Sequence, residues 1–209
     1  MVARFALTSP PDVVRDYLGY AETPDFPPRR AILPTEPVAV VAAREFSQGA
    51  RRHFRLMRWG FLPGFVKDPA SFPLLLNARA ESVLEKPSFR AAFKRRRCLI
   101  PADGYYLWRD AGGRRKQAFL VQAETGGLLA LAGLYETYLD ASGGEIDTAC
   151  VLTTQAGAAL QELSDRAPVI VPRAQIGRWL DHEATLEPAL ALLAPAPAGL
   201  LRATPLAGA

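Results

Sequence analysis

Histidine and cysteine are scarce in this chain, with two of each among 209 residues. Cys98 and Cys150 lie far apart, and neither stands at metal-ligand spacing from the other or from His53 and His182. A zinc site is therefore not expected, nor any other metal or cofactor. Both cysteines sit in apolar, strand-like runs. They read as buried free thiols of a reducing compartment. No uncharged apolar run is long enough to span a bilayer without meeting a proline. The first residues lack a basic segment followed by an apolar one, so no signal peptide is expected. Neither sign of charge is in large excess: the formal net charge is +4. That balance permits a nucleic-acid partner without requiring one. The expectation is a soluble, cytoplasmic protein that makes no use of a membrane.

Internal repeats and domain linkers are missing as well. The chain reads as a single domain over 1–209, with an irregular Ala/Pro-rich tail at 194–209. Hydrophobic residues make up 49% and charged residues 22%, which suits a globular protein with a sizeable core. Eighteen prolines and sixteen glycines predict many turns and short elements.

The most informative stretch runs from Lys94 to Trp108. Four consecutive cations, Lys94 to Arg97, would repel one another unless they faced water or an anion. Cys98-Leu99-Ile100 is short and apolar, as a buried strand is. Asp103-Gly104 signals a turn, and Tyr105-Tyr106-Leu107-Trp108 is a strand-prone aromatic run. Cations beside aromatics suit single-stranded nucleic acid, where phosphates meet Arg or Lys and bases stack on rings. A core strand flanked by solvated arginines fits the same residues.

In chain order, strands are expected at 2–7, 38–41, 54–61, 117–122, 128–135, 146–153 and 168–171, with a leucine run at 74–76. A helix is expected after Ser9, acting as its N-cap. Others are expected from Pro87 with Phe89 and Phe93 on one side, from Thr154 to about Leu163, over 176–180, and near 183–193. The pairs Gly112-Gly113, Gly126-Gly127 and Gly143-Gly144 signal hairpins. These elements predict an α+β fold with a mostly antiparallel sheet curled on itself. Asn77-Ala78-Arg79-Ala80-Glu81, directly after the leucines, reads either as the wall of a cleft or as a surface ion pair of Arg79 with Glu81. Trp59 reads equally as a core residue or a groove residue.

Several separated segments carry a family resemblance. They are Arg58-Trp59-Gly60-Phe61-Leu62-Pro63, Asn77 to Glu81, Pro87-Ser88-Phe89-Arg90, Arg97 to Gly104, Ala132-Gly133-Leu134-Tyr135, Leu152-Thr153-Thr154 and Asp165 to Ile170. In this order and spacing, over about residues 3–180, the chain resembles the SRAP family of SOS response-associated peptidases, or abasic-site-processing proteins. The resemblance implies a curved, barrel-like antiparallel β-structure with flanking helices and a cationic groove for single-stranded DNA. It implies a covalent reaction too. An N-terminal cysteine, helped by an asparagine, a glutamate and a histidine, closes a thiazolidine with the aldehyde of an abasic site.

This chain departs from that pattern at the reacting groups. Val2 stands at the cysteine position, Leu107 at the glutamate and Ser164 at the histidine; Asn77 alone is kept. Valine carries no thiol, so a thiazolidine cannot form, and losing a general acid or base typically costs about 10²- to 10⁴-fold. The resemblance still implies a DNA-binding face of Arg4, Trp59, Phe65, Asn77, Arg79, Trp108 and Arg166. For Asp165-Arg166 an internal salt bridge that orders the loop is the competing reading. The expectation is a catalytically degenerate family member whose partner is single-stranded DNA, abasic or intact, in the context of DNA damage. Residual reaction at abasic sites through the N-terminal amine, and a protein-interaction module without DNA, are the alternatives.

Overall fold

A computed structural model of the chain describes residues 2–44, 51–110, 116–183 and 185–207. Strand β1 (Phe5–Leu7) leads into helix α1 (Pro11–Leu18), then β2 (Arg29–Ile32), β3 (Pro37–Arg44) and β4 (Arg51–Trp59). The short β5 (Asn77–Arg79) follows, then α2 (Pro87–Arg95), β6 (Arg97–Ala102) and β7 (Gly104–Asp110). Next come β8 (Lys116–Ala123), β9 (Leu129–Leu139), β10 (Glu145–Gln155) and β11 (Arg166–Pro168). Helices α3 (Ile176–Leu180) and α4 (Glu187–Leu190) precede β12 (Leu201–Pro205).

Two sheets result. The first runs β12-β8-β7-β1-β2. In the second, β10-β4-β3-β6-β9 forms a row whose ends also pair, since β9 joins β10 along seven residues from Gly133 to Leu139. That sheet closes on itself as a barrel and loses its free edges. The pairing is mostly antiparallel, apart from short parallel contacts of β10 with β4 and β5. This is the expected α+β, barrel-like architecture. Phe5 of β1 meets Trp59 of β4 edge to face, with ring centroids 4.9 Å apart, and so joins the sheets.

Local chemistry explains the elements near the site. Helix α2 starts with proline in its first turn and buries Phe89, Ala92 and Phe93 along one face. At the β6–β7 corner, the Asp103 carboxylate accepts hydrogen bonds from the backbone N–H of Thr8 and of Ser9 and from both their hydroxyls. Ser9 therefore ties the end of β1 to that corner and does not cap α1, whose N-cap is Pro10. Gly104 must be small: a Cβ there would lie 2.7 Å from the Val121 carbonyl oxygen of β8.

Other expectations need correction. Arg97 is not solvated. It is fully buried at the start of β6 and donates from Nε to the Trp179 carbonyl at 2.7 Å, from Nη1 to the Phe93 carbonyl at 2.8 Å, and from Nη2 to the Asp181 carbonyl. Its guanidinium also lies 5.7 Å from the ring centroids of Phe93 and Trp179. Arg96 pairs with Glu136 at 2.6 Å, which leaves only Lys94 and Arg95 of that run exposed. Residues 158–160 make only a 3-10 turn where a helix from Thr154 was expected; Thr154 instead continues β10. Gly126-Gly127 carries the chain from one sheet to the other, so β8 and β9 form no hairpin. Gly143-Gly144 does turn the β9–β10 hairpin. Gly112-Gly113 lies outside the described residues. Leu74 is exposed rather than buried. The tail is not irregular throughout, because β12 pairs with β8 from Leu201 to Pro205. Cys98 and Cys150 are free and buried, and burial pushes both thiols up.

Candidate nucleic-acid interface

Strand β5 sets the candidate site. It runs parallel to β10, with Asn77 opposite Val151 and Arg79 opposite Thr153. Strand alternation sends Ala78 into the core, while Asn77 and Arg79 share the other face. The Asn77 Nδ2 donates to the Val2 carbonyl at 2.8 Å, and its Oδ1 is buried without a hydrogen-bond partner. The Arg79 side chain is exposed and makes no ion pair or hydrogen bond among the described residues. It borders a cavity of about 410 Å³ together with Gln155, Ala156, Gln161, Asp165 and Arg166.

The ion pair expected between Arg79 and Glu81 is absent among the described residues. Arg166 takes Glu81 instead, through Nη1 and Nη2 at 2.8 Å each, and Nη2 also donates to the Thr153 carbonyl at 2.6 Å. The two-pronged contact ties the start of β11 to the turn after β5, and the Thr153 contact ties it to β10. The expected pairing of Arg166 with Asp165 is likewise absent among the described residues. Ser164 accepts a hydrogen bond from the Arg166 N–H at 3.1 Å and donates to the Arg166 carbonyl at 2.8 Å. Where the resemblance expects the histidine, the chain thus has a turn-forming hydroxyl.

The Arg166 hydrogen bonds hold the Glu81 carboxyl below the usual range against the opposing effect of burial. Because the folded-state pKa is depressed, the pair stabilises the protein above the unfolded carboxyl value of about 4.3. That contribution is lost as pH falls through the lower folded value. Glu81 is 47% exposed, so solvent screening keeps the effect small. Glu81→Gln is expected to cost about 0.5–1 kcal/mol at pH 7. Urea unfolding should show the difference shrinking below about pH 4.

A second cluster lies where β1 meets β7. The Tyr106 N–H donates to the Arg4 carbonyl at 3.0 Å, extending the pairing of Phe5 with Tyr105. Tyr105 and Leu107 point inward, while Tyr106 and Trp108 lie on the opposite, partly exposed face. There the Arg4 guanidinium stands 5.2 Å from the Trp108 ring centroid and 5.8 Å from that of Tyr106. The arrangement offers a cation already lying against two rings.

Two of the positions that the resemblance assigns to reacting groups are apolar and buried. Val2 is 1% exposed, Leu107 is 3% exposed, and both belong to the main hydrophobic core. Trp59 does not line a groove. It is fully buried, and its Nε1 donates to the Leu76 carbonyl at 3.1 Å. Phe65 is 61% exposed on the loop after β4, which is anchored by Leu62 and Val66 against Tyr138. The structure thus joins Asn77 to Val2, Arg4 to Trp108, and Arg79 to the Arg166 cavity. It removes Trp59 and Arg97 to the core. Tyr106, Gln155 and Gln161 were not singled out from sequence.

Among the described residues, no three His, Cys, Asp or Glu side chains are grouped to hold a metal ion. Nor is any helix long and apolar enough to cross a membrane.

Comparison with known proteins places this geometry. The abasic site processing protein YoaM of Bacillus subtilis is 29% identical over 188 residues, 88% of this chain and 81% of that protein. The abasic site processing protein HMCES of Rattus norvegicus is 28% identical over 170 residues, 66% of this chain but only 48% of that protein. A crystal structure from Bacteroides thetaiotaomicron shares the fold with a TM-score of 0.87 at 20% identity, covering 97% of this chain and 91% of the other. One from Bordetella bronchiseptica has a TM-score of 0.82 at 25% identity, covering 98% and 99%. The family model for SOS response associated peptidase (SRAP) matches residues 1–208. The chain belongs to the SRAP family.

Proposed function

We propose that this chain is a single-stranded DNA-binding member of its family that does not capture abasic sites covalently. One observation carries the reading. Asn77 joins the carbonyl of a buried, thiol-free Val2, while two positions along β5 Arg79 stands exposed and unpaired among the described residues. A strand phosphate would take Arg79. A base would stack on Trp108, Tyr106 or the exposed Phe65, at about 1–3 kcal/mol per base. Arg166 acts here by holding Glu81, two residues after Arg79, against the start of β11. The names of the curated relatives, abasic site processing proteins, support a role at damaged DNA. The setting is the cytoplasm.

Fluorescence anisotropy with a labelled single-stranded oligonucleotide tests the reading. Binding should weaken steeply as salt rises, because phosphate contacts release counterions. Binding that is absent, or indifferent to salt, would overturn it.

A further inference from the structure

Covalent capture of an abasic site needs room beside residue 2 for a sugar that has swung out of the strand. In this chain position 2 is closed off from solvent. Val2 and Leu107 are buried side chains of one continuous core. The β1–β7 register, fixed by the Tyr106 N–H on the Arg4 carbonyl, sets Leu107 beside the segment that carries Val2. Asn77 closes the same place from β5 by binding the Val2 carbonyl, and its own Oδ1 is out of solvent's reach. Two aliphatic side chains replace polar ones and pack into the core, where a polar sugar would have to displace them and leave its hydroxyls without partners. The open volume lies further along β5, in the cavity bounded by Arg79, Gln155, Gln161, Asp165 and Arg166. Its lining of two cations, two amides and a carboxylate suits a strand's backbone and base edges rather than an inserted deoxyribose.

We infer that Val2 and Leu107 act as a plug that sets specificity, so that this protein takes an intact single strand and gains nothing from an abasic site. The inference rests on the proposed binding of single-stranded DNA by this face. A missing base offers no new contact in a closed pocket, and it removes one ring from the stack. An abasic strand should therefore bind no better than an intact one, and up to about tenfold worse if the missing base is one that stacks.

The test uses the full chain and two fluorescent oligonucleotides of one sequence. One is intact; the other carries a central tetrahydrofuran residue, which mimics an abasic site but has no aldehyde to react. The expected ratio of Kd, tetrahydrofuran strand over intact strand, is between one and about ten. A tetrahydrofuran strand that binds at least threefold tighter than the intact strand overturns the plug while leaving the binding reading in place. Failure of both strands to bind overturns that reading, and the plug with it. Leu107→Ala, checked for folding by circular dichroism, removes side-chain volume from the core that also holds Val2 and should move the ratio at least threefold toward the tetrahydrofuran strand. An unmoved ratio in the folded variant would contradict the role given to Leu107.

Discussion

Arg97→Met is expected to destabilise the fold by about 3–5 kcal/mol, because three backbone carbonyls lose a charged donor at once. The guanidinium is fully buried and bridges three backbone carbonyls from two distant segments, Phe93 at the end of α2 and Trp179 and Asp181 at the end of α3. Methionine fills similar volume but donates nothing, so those carbonyls would lie buried or poorly hydrated, at about 1–3 kcal/mol for each group left unsatisfied. The faces of Phe93 and Trp179 would lose their cation as well. Arg97→Lys should recover little, because an ammonium cannot reach three carbonyls in the plane of a guanidinium fork. Burial pulls the Arg97 pKa down from its ordinary value, with Asp181 opposing, yet its contacts are those of a charged donor. Urea unfolding measures the effect. A loss below about 1 kcal/mol would mean that α3 relaxes around the change, and that Arg97 does not fasten it.

The double variant Arg4→Ala/Arg79→Ala is expected to weaken single-strand binding by about 100-fold at moderate salt, about tenfold for each arginine that no longer meets a phosphate. The more diagnostic readout is the slope of log affinity against log salt. Each arginine removed from a phosphate should flatten it by about 0.7 on single strands. Arg79 has no partner to give up among the described residues, so its removal should leave stability nearly unchanged. Among the described residues, the Arg4 side chain gives up only its place against the Trp108 and Tyr106 rings, worth about 0.5–1 kcal/mol at a partly exposed site. An unchanged slope with unchanged thermal unfolding would remove both residues from the interface.

Much of the architecture is legible in the sequence because apolar runs and turn residues have few alternatives. Helix α2 follows from Pro87 and from Phe89 and Phe93 four residues apart. The β9–β10 hairpin follows from Gly143-Gly144. What the sequence hides is settled by partners far along the chain. Nothing within Lys94 to Arg97 says which cation turns inward; carbonyls near residue 180 decide it. The segment 201–205 has no alternating pattern, and becomes a strand because the edge of β8 offers it unpaired backbone groups. Gly126-Gly127 turns the chain without pairing its flanks, which a local signal cannot distinguish from a hairpin. At the site, the resemblance located Val2, Asn77, Leu107 and Ser164. Composition at those positions could not tell that Val2 and Leu107 join the core, or that Ser164 closes a turn. Glu81 meets Arg166 across 85 residues of sequence, a contact that spacing alone does not reveal.

The decisive measurement is a binding reaction with a single-stranded oligonucleotide carrying one natural abasic site, divided between a native and a denaturing gel. A DNA-binding protein with valine, leucine and serine at the reacting positions should shift the oligonucleotide in the native gel and release it completely under denaturation. An adduct that survives denaturation would contradict this, and would show that another nucleophile of the chain reaches the aldehyde.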